Sequence, residues 1–125
     1  MSLEANKELV KNFYQSIVVR GEFDKIPLYM GENYTQHSIL AANGVEGLKQ
    51  FVSEHRAKYP DTRLEFKRVI AEGDLVVTHS HAVFYEGHQG SAVIDIFRVE
   101  DDKVVEHWEV FQDIPERTLS GNSVF

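Results

Sequence analysis

The chain has 125 residues, 42% of them apolar and 26% charged, a size and balance that fit one globular domain and exclude a disordered chain. Its lack of cysteine excludes a disulfide framework, thiolate metal sites and a cysteine nucleophile. Thirteen basic against 20 acidic residues leave a formal charge of −7, which opposes binding to nucleic-acid phosphates or an anionic membrane surface. No basic cluster offsets that charge, because residues 63–68 alternate Arg-Leu-Glu-Phe-Lys-Arg as a strand with one solvated side. No apolar run approaches the ~18 residues of a membrane helix, and the first residues lack a signal-peptide core. The expectation is one cytoplasmic domain over residues 1–125, with no nucleic-acid or membrane partner.

In chain order, Val10, Phe13, Tyr14, Ile17 and Val18 form one helical stripe, predicting a helix from about Glu4 to Val19 that stops at Gly21. A short second helix is expected over residues 23–30, with Pro27 fitting only its first turn or a kink. Asn43 and Glu46 have capping-box spacing, and Leu48, Phe51, Val52 and His55 continue a third helix that Pro60 ends. His37 falls in a short strand or loop. Beyond Pro60 the period becomes 2: Leu64, Phe66, Arg68 and Ile70 alternate with Arg63, Glu65, Lys67 and Val69. Further strands are expected over residues 75–84, 92–99 and 104–114, joined by short turns that only an antiparallel meander permits. Helices first and strands afterwards predict an α+β domain with helices on one sheet face.

Alternate strand residues share a face, which groups Val77, His79, His81 and Val83; Val93, Asp95, Phe97 and Val99; and Val105, His107, Glu109 and Phe111. Acids and histidines inside apolar strands are costly unless satisfied, and several on one concave face suggest a polar-lined pocket. His79 and His81 form a His-x-His pair able to chelate a metal with His37, His107 or Glu109 as third ligand; the favoured reading is no metal. Trp108 and Val110, on the opposite face with Glu106 and Gln112, are too apolar to be wholly solvated and predict a homodimer through the outer sheet face.

The element order, with Tyr34-Thr-Gln-His37, Gly44-Val-Glu-Gly47, Glu72–His79, Asp95-Ile-Phe-Arg98 and Glu106–Gln112, resembles the SnoaL-like polyketide cyclases of the NTF2-like superfamily. The tail Gly121-Asn-Ser-Val-Phe125 is similar to the ending of a bacterial group of SnoaL-like aldol-condensation enzymes. The resemblance implies a cone-shaped α+β barrel, three N-terminal helices closing a strongly curved antiparallel sheet around a deep pocket. It also implies that Glu109 takes the cyclases' acid/base position, where Asp is usual, and that Asp95 stands where a cyclase has histidine. Measured against the related ketosteroid isomerases, Asp95 and Tyr14 take the oxyanion-binding positions and His37 that of the general base. The chain thus carries parts of both sets and neither completely.

These readings predict cofactor-independent enolate or aldol chemistry on a small, largely apolar carbonyl compound, the work of a lyase or isomerase. Glu109 and His37 are the expected proton carriers, Asp95 and His107 their tuning groups. Tyr14, Tyr34, Phe51, His79, His81, Phe97 and Phe111 are the expected substrate-binding residues. A non-catalytic pocket for a small hydrophobic molecule is the alternative; a deep cavity with carboxylate and imidazole facing one position favours catalysis over it.

Overall fold

In a computed structural model describing residues 2–125, Ser2 Oγ caps the first helix by accepting from Ala5 N at 2.9 Å. Helix α1 runs Leu3–Phe13 and buries Val10 and Phe13. The helix then widens into a π-helical segment, Tyr14–Val19, before Gly21 ends it at φ 67°. The expected helix is therefore one rod with two geometries, and the widened part carries Tyr14 and Ile17 inward. The expected second helix is split into a 3-10 turn, Phe23–Lys25, and the single turn α2, Ile26–Tyr29, with Pro27 at its start.

Strand β1, Met30–Gln36, follows, and helix α3 spans Gly44–Lys58 with Leu48 and Val52 buried. The capping box does not form. Asn43 is at the N-cap, but its Oδ1 accepts from Gln36 N at 2.8 Å, fastening the end of β1 to the start of α3.

Strands β2 (Arg63–Glu72), β3 (Leu75–Val83), β4 (Ser91–Glu100) and β5 (Lys103–Asp113) form the antiparallel meander. β1 adds a fifth strand at its edge, parallel to β5, giving the order β1-β5-β4-β3-β2. The sheet is thus mixed rather than wholly antiparallel, and β1 and β2 remain unpaired edges of an open sheet. Parallel pairing is possible here because α3 and three strands intervene between β1 and β5, far more chain than a tight turn.

Two β-bulges alter the expected faces. One between Phe66 and Arg68 lets Leu64, Phe66, Val69 and Ala71 pack on the core, leaving Ile70 57% exposed instead of in line with Phe66. The other, between Arg98 and Val99, buries Val104 rather than Val105. The helices cover the concave face, and Val10, Phe13 and Ile17 share one core with Val76, Phe97 and Val104. No helix among the described residues is long and apolar enough to cross a membrane.

Candidate active site

Strand register sets the site. Asp95 pairs Glu109 across β4–β5 and Thr78 across β3–β4, while His107 pairs Phe97 on one side and Gln36 of β1 on the other. Directly opposed residues share a face, so Gln36, Asp95, His107 and Glu109 project into the concave side under the π-helical segment. Tyr14, the first residue of that segment, reaches across to Asp95.

Asp95 is 0% exposed, a position an ionisable group tolerates only when fully partnered. Tyr14 Oη donates to its Oδ2 at 2.8 Å, and His107 Nε2 lies 2.6 Å from its Oδ1. On the other side of the imidazole, His107 Nδ1 is 2.7 Å from Gln36 Oε1, which also accepts from Ser38 N at 3.0 Å. Because Ser38 N can only donate, that Gln36 atom is the carbonyl oxygen, and His107 Nδ1 must carry a proton. One further proton then lies between His107 Nε2 and Asp95 Oδ1.

Glu109 is the titratable group of the site. Burial pushes its carboxyl up, the charge of Asp95 adds to that, and the total reaches about 7; His107 and the Ser38 hydroxyl, donating to Oε1 at 3.1 Å, work in the opposite direction. A carboxylate poised there can both take and return a proton near neutral pH. Burial first, then Asp95 and Glu109, raise the Tyr14 phenol well above its ordinary value, so Tyr14 stays a donor.

Two neighbouring chambers, walled in part by the same residues, lie over these groups. The inner one, about 30 Å³, is lined by Tyr14, Tyr34, Gln36, Ser38, His107 and Glu109 with Phe13, Phe51 and Phe97. The outer one, about 100 Å³, is mainly apolar, with Leu64, Phe84, Val93 and Phe111. Tyr14, Val18, Leu40, Phe51 and Glu109 border both, and neither wall contains a lysine or arginine.

Of the residues expected from sequence, Tyr14, Tyr34, Phe51, Phe97, His107 and Glu109 meet at the inner chamber, Asp95 lies directly behind it, and Phe111 lines the outer one. His37 does not join them. It follows inward-facing Gln36 and so points to the other side of the sheet, where its Nε2 is 2.7 Å from Glu106 Oε2 and its ring stacks on Trp108 at 4.9 Å. Trp108 thus packs on this imidazole.

His79 and His81 are also on the outer face, because β3 turns Val76, Thr78, Ser80 and Ala82 inward. There His79 Nδ1 contacts Arg68, His81 Nε2 contacts Gln89 O at 2.8 Å, and both rings pack on Phe125. The sheet separates them from His107 and Glu109, which cannot supply a third ligand to that pair. The inward trio Asp95, His107 and Glu109 does offer ligand atoms within 4.8 Å of one another, but a cation there would have to displace the proton shared by His107 and Asp95. Gln36 and Ser38 were not expected in the site. Their signal lay in the alternation from Tyr34, which becomes visible only once the segment is known to be a strand.

A helical layer over an open, mixed five-stranded sheet, with a polar cluster at the base of a cavity between them, is the NTF2-like fold. The sequence profile of the SnoaL-like polyketide cyclases matches residues 8–117, and the chain belongs to that family. No curated protein matches it by sequence. Among solved structures, it is similar to a proposed polyketide cyclase from Bacillus cereus, with 24% identity over 90% of this chain and 79% of that one and a TM-score of 0.76. It is also similar to a proposed polyketide cyclase from Acidithiobacillus ferrooxidans, with 18% identity, 90% and 92% coverage and a TM-score of 0.71. A proposed ketosteroid isomerase from Kribbella flavida gives 17% identity, 93% and 84% coverage and a TM-score of 0.73.

Proposed function

We propose that this chain is a cofactor-independent acid/base enzyme, a lyase or isomerase, that forms an enolate from a small uncharged carbonyl compound. Glu109 removes a proton from the carbon next to the carbonyl, and the released electron pair moves onto the carbonyl oxygen. The enolate carbon then attacks a second carbonyl, whose oxygen takes the proton back from Glu109, as in aldol closure, or Glu109 returns the proton to another carbon of an extended enolate, as in double-bond migration. Burial and the charge of Asp95 oppose ionisation of Glu109 more than His107 favours it, so Glu109 retains its basicity. The apolar outer chamber accepts the hydrocarbon body, and the absence of lysine and arginine from both walls disfavours a phosphorylated or carboxylate substrate.

The observation that carries this reading is a carboxyl with its pKa pushed up to about 7 at the base of a mainly apolar cavity. A panel of small cyclic ketones in D2O, followed by NMR, tests it. Exchange of the α-hydrogens catalysed by the wild type and reduced about 10²–10⁴-fold in Glu109→Gln supports the proposal. Equal exchange by the two proteins contradicts it and leaves a binding domain. We also infer a homodimer formed through the outer face, where Val110 is 69% exposed beside Trp108. Light scattering tests this at micromolar concentration, and a monomer contradicts it.

A further inference from the structure

A developing enolate oxygen needs hydrogen-bond donors, and the inner chamber has several candidates whose hydrogens are already committed. Tyr14 Oη gives its hydrogen to Asp95, Ser38 Oγ gives its own to Glu109, and both His107 nitrogens are engaged. Tyr34 differs. Its hydroxyl oxygen accepts from Gln36 Nε2 at 3.1 Å, and among the described residues its hydrogen has no acceptor. Gln36 Nε2 carries two hydrogens and spends one on Tyr34. Its orientation is fixed because Oε1 is pinned by Ser38 N and His107 Nδ1.

We propose that the Tyr34 hydroxyl and the second Gln36 amide hydrogen, not Tyr14, bind the enolate oxygen. Two donors 3.1 Å apart can converge on one acceptor, and both border the chamber that Glu109 also borders. Burial raises the Tyr34 phenol above its ordinary value, the Gln36 hydrogen bond works in the opposite direction and the Asp95 and Glu109 carboxyls add to the rise, so it remains a donor at working pH. The site therefore departs from the pairing that the isomerase resemblance implied, in which Tyr14 and Asp95 face the oxyanion. Here those two residues face each other.

The inference rests on the enolate chemistry proposed above, but its test requires no turnover. The probe is 4-nitrophenol, whose ionised form is an oxyanion with an absorbance of its own. It is titrated into the protein at about pH 6, where Glu109 holds the proton it would have just abstracted. The wild type is expected to bind the phenolate, and Tyr34→Phe to weaken that binding about 10–100-fold. Gln36→Glu, which keeps an oxygen toward Ser38 and His107 but loses the donor nitrogen, should do the same.

Tyr14→Phe, whose lost hydroxyl faces Asp95, should weaken phenolate binding less than Tyr34→Phe does. 4-Nitrotoluene, the same shape without the oxyanion, should bind Tyr34→Phe and wild type alike, which a general loss of structure would not permit. Failure of the wild type to bind phenolate, or loss in Tyr14→Phe with retention in Tyr34→Phe, overturns the assignment. Absence of ketone exchange with these binding results intact instead counts against Glu109 as the base.

Discussion

Tyr14 and Asp95, 81 residues apart in sequence, meet in a buried hydrogen bond of 2.8 Å that fastens the widened end of the first helix to the centre of β4. Removing the hydroxyl leaves Asp95 Oδ2 unsatisfied where water does not reach. Tyr14→Phe is therefore expected to lower unfolding stability by about 1–3 kcal/mol, measured by urea denaturation near neutral pH. An unchanged midpoint would mean that the bond contributes nothing.

Glu109 gives folding a defined pH dependence. Its carboxyl titrates near the ordinary 4.5 when unfolded and at about 7 when folded, so between those values the folded state holds the extra proton. Stability from this group is complete below the lower value and is lost as pH rises through the higher one, on the order of 3 kcal/mol. Glu109→Gln should thus be more thermostable than wild type at about pH 8 and match it at about pH 4. The same melting temperature difference at both pH values would contradict this.

His37 should behave as a surface residue. Its side chain is 41% exposed and its contact with Glu106 is partly solvated. His37→Gln is expected to change stability by less than about 1 kcal/mol and to leave ketone exchange at the wild-type rate. A loss of exchange comparable to that of Glu109→Gln would return His37 to the mechanism.

Gly47 reverses the usual helix rule. An interior helical glycine is about 1 kcal/mol less favourable than alanine. Here a Cβ would collide with the Ala42 carbonyl, in the segment that brings Ser38, Leu40 and Ala41 to the inner chamber. Gly47→Ala should destabilise by about 1–3 kcal/mol rather than stabilise, as calorimetry would show, because the loop must shift.

The meander, the three helical segments and the inward set Asp95, His107 and Glu109 were legible because period and turns are local signals. β1 was not, since Met30–Gln36 has little apolar alternation and its partner β5 comes some 70 residues later. His37 and Gln36 changed places for that reason: the strand's phase, not the residue's chemistry, decides which of them faces the cavity. The same ambiguity affected β3, where Val76 and Val77 are both apolar and either face could have been inward. Only pairing of Thr78 with Asp95 across β3–β4 turns His79 and His81 outward.

The protonation of Glu109 is the point on which the acid/base account depends, and it can be measured without a substrate. Side-chain carboxyl carbons labelled with 13C, assigned with Glu109→Gln as reference, can be titrated by NMR from about pH 3 to pH 9. The expected Glu109 midpoint is about 7, raised by burial and by Asp95. A midpoint at the ordinary 4.5 of a solvated glutamate would contradict it, because the carboxylate would then be too weak a base for the chemistry assigned to it.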